Sequence, residues 1–190
     1  NGRGHRLPLE VTSAPEALAA DPPDLCLVTV KAHQTRRAAE GIARFLAPRG
    51  VALTLQNGLG NAEILAEALG VSRVALGTCT CGAHRREGEV IWGGDGEILF
   101  GPWEGNAPLA SVEALLRSAG MRARRVEDPK RTLWEKVVLN GAVNPVSALL
   151  GRPNGALGET LPSRQVMATL LREALEVARA EGFDLEEREM

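Results

Sequence analysis

The stretch "DLCLVTVKAHQTRRAAEGIARFLAPRGVALTLQNGLGNAEILAEALGVSRVALGTCTCGA", residues 24–83, decides the fold. Its apolar residues come in two rhythms. "DLCLVTV" (24–30) is a continuous, β-branched run bounded by Asp-Pro-Pro, the pattern of a strand buried on both faces. "QTRRAAEGIARFLA" (34–47) has helical spacing and stops at "PRG". "VALTLQ" (51–56) is a second buried strand, "NAEILAEALG" (61–70) a helix with glycine at its stop, and "RVALGTCTCGA" (73–83) a third strand. The order β-α-β-α-β predicts a parallel sheet with helices on its faces.

Outward from this unit the character changes. "HRREGEVIWGGDGEILFG" (84–101) alternates turn residues with short β runs and predicts a hairpin or meander. A helix over 108–119, a stop at Gly120 and a short strand over 121–127 complete the α/β part. Asp128-Pro129 is a helix start, with Asp as cap and Pro in the first turn. Beyond it the chain predicts helices over about 130–150 and 161–181, joined by a Gly/Pro/Asn turn. Two domains are expected, 1–127 and 128–190.

With 190 residues, 44% hydrophobic and 24% charged, the chain has the balance of a soluble globular protein. A net charge of −2 points away from nucleic-acid or acidic-membrane partners. No apolar run reaches the roughly 18 residues of a membrane span, and "NGRGHRLPLE" has no signal-peptide core. A cytoplasmic location is expected. Cys26, Cys79 and Cys81 read as small buried hydrophobes, and the Cys-x-Cys pair has no nearby His or further Cys to complete a metal site, so no metal is expected. The chain has 19 arginines but only three lysines, Lys31, Lys130 and Lys136. Arg cannot release its proton in a protein and Lys can, so each lysine needs a reason.

Ligands bind open parallel sheets beyond the carboxyl ends of the strands. Lys31 follows the first strand and Asn57-Gly58 the second, which suggests a rim facing a ligand rich in oxygen. The other polar feature lies in "LWEKVVLNGAVNPVSAL" (133–149), apolar except for Lys136, Asn140 and Asn144 at four-residue intervals. Such residues share one helix face, drifting by about 40° per step. Val137, Val138, Leu139, Ala142 and Val143 make the rest of the surface apolar, so the helix is expected to be buried on most sides with its polar seam facing a cleft. Asparagine is a poor helix former, and two on one seam point to a site rather than an ordinary wet face. Pro145 removes one helix hydrogen bond beside the seam.

"VKAHQT" (30–35), "LQNGLGN" (55–61), "GTCTCGA" (77–83) and "LWEKVVLNGAVNPVSALLGRPNGAL" (133–157) resemble, in order and spacing, the ketopantoate reductases (2-dehydropantoate 2-reductases). The resemblance implies a Rossmann-like domain followed by a helical one, with the active site in the cleft between them. It implies NADPH-dependent reduction of 2-dehydropantoate to pantoate, on the route to pantothenate and coenzyme A. By position, Lys136 is similar to the family's catalytic lysine and Asn140 and Asn144 to its substrate-contacting amides. Lys31 and Asn57 are similar to its residues beside nicotinamide and substrate.

The sequence departs from that family at both ends. The G-x-G-x-x-G turn that cradles a pyrophosphate is missing: "NGRGHR" has the wrong spacing, and "GLGNAE" lacks the third glycine. The chain also stops before the family's last helices. An incomplete Rossmann-like parallel sheet followed by an all-helical domain is therefore expected, the middle of a longer enzyme. Three functional readings follow: ketopantoate reduction with Lys136 as general acid, reduction of another 2-oxo acid, and a non-catalytic interaction module. For the last, the stripe Val166, Leu170, Ala174 and Val177 on the 161–181 helix packs either within its own domain or against a second subunit, as in a homodimer.

Overall fold

The computed structural model describes residues 10–186. The "NGRGHR" glycines and the last four residues lie outside that range. Strands β1 (Leu25–Val28), β2 (Val51–Thr54) and β3 (Val74–Cys79) pair in parallel, with Leu25 opposite Val51 and Ala52 opposite Val74. Helices α1 (Thr35–Phe45) and α2 (Asn61–Leu69) make the crossovers. Alternation along the strands sends successive side chains to opposite faces. Val28, Ala52, Val74 and Leu76 pack with Ala39 and Ile42 of α1 and Ala62 and Leu65 of α2. Val51, Leu53 and Ala75 pack on the other face with Leu109, Val112 and Leu116, which belong to or directly precede α3 (Ala110–Ser118). Leu53, Leu65 and Phe100 lose all contact with water, each worth about 1.5–3 kcal/mol.

The sheet is mixed rather than wholly parallel. Its order is β1-β2-β3-β6-β7, where β6 (Ile98–Pro102) runs antiparallel to β3, and β7 (Ala123–Arg125) parallel to β6. The run expected as one strand over 73–83 divides at Thr80. Past it, β4 (Gly82–Arg86) pairs only with β5 (Glu89–Gly94), in a hairpin closed by Glu87 and Gly88, both at positive φ (51° and 87°). Two central residues of that kind match the twist of a two-residue hairpin. The chain then returns along β3 as β6, so no helical crossover is needed.

The helical part begins as expected. Asp128 caps α4 (Pro129–Leu150) by accepting from the Arg131 N–H at 2.9 Å, and Gly151, at φ 61°, ends it. The helix runs through Pro145, whose missing N–H leaves the Gly141 carbonyl without its usual donor. Trp134 and Val138 of α4 pack with Leu175 and Ala178 of α5 (Leu161–Ala180), Leu171 and Ala174 beside them. Two expectations are corrected here. The inner stripe of α5 is 171, 174, 175 and 178, so Val166 and Val177 lie outside, 50% and 55% exposed. Nor is α4 buried on most sides, since Leu139, Leu149 and Leu150 are exposed. Its core contacts are limited to one stripe, because α5 and the sheet both approach from that side.

Gly101 of β6 shows how closely the two parts meet. A Cβ there would lie 2.6 Å from the Val126 carbonyl oxygen and 3.1 Å from the Pro129 ring. Gly101→Ala is expected to cost about 1–3 kcal/mol by overpacking. Urea unfolding reads this directly, and a change within about 0.5 kcal/mol would refute it.

Candidate active site

The carboxyl ends of three adjacent parallel strands define one edge of the sheet. After β1 the chain passes Lys31 and turns through Ala32–Gln34 into α1. After β2 it passes Gln56 and Asn57, then Gly58 and Gly60 at φ 88° and 86°, a conformation that strains any other residue, and enters α2. After β3 comes the Thr80–Cys81 segment.

Beneath this edge lies a buried polar chain centred on Gln56. Its Nε2 donates to the Val30 carbonyl and to Thr35 Oγ1, both at 2.8 Å, while its Oε1 accepts from Thr54 Oγ1 at 3.0 Å. Thr35 Oγ1 donates onward to Asn61 Oδ1 at 2.8 Å. Asn61 Nδ2 donates to the carbonyls of Asn57 and Gly58 at 3.3 and 3.4 Å. Each side-chain N–H and O–H serves once in a consistent direction, so the chain ties the end of β1 and the first residue of α1 to the turn after β2. Such networks rigidify when every member is satisfied. They leave the Asn57 side chain outside, exposed and with no hydrogen bond among the described residues.

Lys136 approaches the same edge from α4. One turn earlier Leu133 enters the sheet core, Trp134 and Val138 enter the helical core and Val137 touches both, so the lysine emerges on the far side of Leu133 from α5, over the end of the sheet. Its Nζ donates to the Cys79 carbonyl at 2.6 Å, and no carboxylate pairs with it among the described residues. Burial pushes the Lys136 ammonium below the ordinary lysine range, while the nearby thiols of Cys79 and Cys81 act weakly the other way. Lys130 is different: it stands 3.9 Å over the Trp103 ring and pairs with Glu104. Lys31 is exposed at the end of β1, with no ion pair among the described residues.

Of the residues singled out from sequence, the structure therefore brings Lys136 to the end of β3, and sets Lys31 and Asn57 at the ends of the two neighbouring strands. Asn140 is half-buried and Asn144 exposed, one and two turns beyond Lys136 on α4. Gln56, Thr35 and Asn61 were missed by the sequence reading. All three lie within "VKAHQT" and "LQNGLGN", stretches that carry the family resemblance, and Gln56 stands two residues past a fully buried strand. An open cavity of about 410 Å³ borders this edge at the end of β1, lined by Thr29, Val30 and Gln34, and one of about 350 Å³ lies away from it beside Pro102 and Arg125; neither is lined by Lys136. The site is an open edge. The three cysteines are free and half-buried rather than fully buried.

Residues 2–105 match the family described as Ketopantoate reductase PanE/ApbA, and residues 128–190 match its C-terminal counterpart. The chain belongs to the ketopantoate reductase family. The 2-dehydropantoate 2-reductase of Halobacterium salinarum is 41% identical over 167 residues, 86% of this chain and 55% of that protein. That of Archaeoglobus fulgidus is 34% identical over 86% of this chain and 55% of its own length. The crystal structure of 2-dehydropantoate 2-reductase from Geobacter metallireducens, 34% identical, superposes with a TM-score of 0.81 over 92% of this chain and 59% of its own. A D-mandelate dehydrogenase solved with NADH and anilino(oxo)acetate, 24% identical, shares the fold with a TM-score of 0.80 over 89% of this chain and 56% of its own. The chain thus spans a little over half the length of these relatives.

Two outcomes are expected. Gln56→Met, similar in shape but without the amide, leaves buried partners unpaired and should cost about 1–3 kcal/mol in urea unfolding; an unchanged midpoint would refute the network. Because Lys136 holds its proton less tightly folded than unfolded, the unfolded state binds more protons between those two values. Stability should therefore rise with pH across that window, and Lys136→Met should flatten the rise. A slope unchanged by the substitution would count against a depressed Lys136.

Proposed function

We propose that the protein is a reductase of a 2-oxo acid, 2-dehydropantoate, with NADPH as the hydride source and Lys136 as general acid. The observation that carries this reading is a half-buried ammonium held on a backbone carbonyl at the carboxyl edge of a sheet of this family, with no carboxylate paired to it among the described residues. The family match supports the reaction class, and an ammonium that commits one N–H to the Cys79 carbonyl at this edge supports a role toward substrate.

Fit to a nicotinamide dinucleotide is judged from the donor set. The exposed Asn57 amide offers both a donor and an acceptor, and the lack of side chains at Gly58 and Gly60, on either side of the exposed Leu59, allows a flat ring or a ribose close to the backbone there. These residues suit the nicotinamide end. The 190 residues contain no G-x-G-x-x-G, so in this proposal the pyrophosphate is held by the remainder of a longer parent enzyme. When bound, the reduced nicotinamide supplies hydride to the substrate's carbonyl carbon.

What remains belongs to the chain. Negative charge grows on the carbonyl oxygen as its carbon is reduced, and Lys136 faces that charge and delivers a proton. Its lowered hold on the proton eases that transfer. The Cys79 carbonyl takes one of its three N–H donors and leaves two for the substrate. Arginine would supply the charge but not the proton. Asn140 and Asn144, on the same helix face, hold the substrate's hydroxyl or carboxylate at fixed spacing. Lys31 faces the carboxylate as a counter-charge, and Asn57 sits beside the nicotinamide. In this reading residues up to 127 belong to the dinucleotide-binding domain and those from 128 to the catalytic one, and the enzyme works in the cytoplasm. No helix among the described residues is long and apolar enough to cross a membrane.

In the full-length parent enzyme, Lys136→Ala should lower kcat for 2-dehydropantoate by about 10²–10⁴-fold, followed by NADPH absorbance, with the thermal transition retained. Lys136→Arg should not restore it. Near-normal turnover in the alanine variant would sink the assignment.

A further inference from the structure

Position 96 admits only glycine. A Cβ there would lie 2.1 Å from Cys81 N, 2.3 Å from Thr80 C and 2.4 Å from Cys81 Cα. All three are backbone atoms, so no rotamer change relieves the clash. Glu97, the next residue, grips Thr80. Thr80 N donates to the Glu97 carbonyl at 3.0 Å, Thr80 Oγ1 donates to the same oxygen at 3.3 Å, and Glu97 N donates to Thr80 Oγ1 at 2.8 Å. On the far side, Arg122 Nε donates to the Gly96 carbonyl at 3.2 Å and Ile98 N to the Arg122 carbonyl at 2.8 Å. The head of β6 is thus clamped between the entry to β7 and the exit of β3.

Thr80 N and the Cys79 carbonyl belong to one peptide unit. That unit is planar, so fixing the N–H on Glu97 also fixes the direction in which the carbonyl points, which is toward Lys136. We propose that Gly96 and Thr80 are positioning residues for Lys136, acting through this clasp on the Cys79–Thr80 peptide. The clasp exceeds what closing the β4–β5 hairpin requires. The backbone bond alone would close the neck, whereas the hydroxyl meets both backbone groups of Glu97 and the glycine lets the two segments approach closer than any side chain permits. With one N–H fixed on Cys79, the directions of the other two are restricted, and a displacement of about 1 Å of such a group costs about 10²-fold in rate.

The catalytic consequence rests on the function proposed above; the placement of the ammonium does not. The test uses the full-length parent enzyme as wild type, Thr80→Val (shape kept, hydroxyl lost), Thr80→Ser (hydroxyl kept) and Gly96→Ala. Lysines are reductively ¹³C-methylated, and the Lys136 resonance is assigned by its loss in Lys136→Arg. The ionisable groups acting on Lys136 are the thiols of Cys79 and Cys81, and their titration is followed alongside.

Freed from its carbonyl, Lys136 moves toward water. Its titration midpoint should rise toward the ordinary lysine range in Thr80→Val and Gly96→Ala and stay at the wild-type value in Thr80→Ser. In Thr80→Val, kcat should fall about 10-fold with KM for NADPH within about twofold, and the basic limb of the kcat/KM profile should move to higher pH in step with the resonance. If Gly96→Ala fails to fold, the Thr80 pair decides. A Lys136 midpoint unchanged in Thr80→Val overturns the proposal, even if kcat falls, because the clasp would then serve only the hairpin. A shifted midpoint in a parent enzyme that reduces no 2-oxo acid would uphold the clasp and defeat the functional reading.

Discussion

An ammonium drawn partly out of water and held on a backbone carbonyl is the constraint around which this structure is arranged. Desolvating a charge is costly unless strong partners replace the water. A single 2.6 Å charge-assisted bond replaces only part of it. Helix α4 can hold Lys136 in that position because adjacent residues are committed to different cores. Leu133 is buried with the sheet, Trp134 and Val138 with α5, and Val137 touches both clusters. Rotating the helix to free the lysine would withdraw one or other of these anchors, so packing energy from two cores keeps one charge where solvent alone would not.

The same logic separates lysine from arginine across the chain. Arg73 is a structural fork: Nε donates to the Gly50 carbonyl, and Nη2 to the carbonyls of Leu46 and Ala47 at 3.1 and 2.6 Å, satisfying the loop after α1. Arg117 and Arg122 likewise reach backbone carbonyls around β7. Several planar donors on a rigid group suit that work, and a compact ammonium does not. Lysine appears over an aromatic face, at a strand end and at the seam, places where a point charge fits.

Much of the architecture was legible in the sequence because burial writes its period into it. The strands at 25–28, 51–54 and 74–79 and the helices between them were readable from apolar runs and glycine stops, as was the capped start of α4. Lys136, Asn140 and Asn144 stood out in the sequence as polar residues on an apolar helix; the fold brings Lys136 to the end of β3 and leaves Asn140 half-buried and Asn144 exposed. Strand direction was not legible. Nothing in the alternation of Ile98 to Pro102 states which way it runs beside β3, and only the short hairpin between them permits the antiparallel return. The Gln56 chain was hidden for another reason: its bonds join residues more than twenty positions apart, and a single Gln after a strand carries no period. Gly96 read as one more turn residue in "GGDG", because the backbone it must admit arrives from Thr80 and Cys81 only after folding. The buried stripe of α5 was misplaced because several of its faces carry apolar residues, and packing chose among them.

The β4–β5 hairpin leaves the sheet and returns to it at neighbouring strand ends, and Val90, Ile91 and Trp92 on it face outward. Its base is closed by the Thr80–Glu97 contacts, so nothing beyond that neck is threaded into the core. In evolutionary terms this is a module that can change length or composition without rethreading the sheet. Descent can vary the hairpin, which springs from the strand end that holds Lys136, and so change the surroundings of the lysine at little risk to the fold.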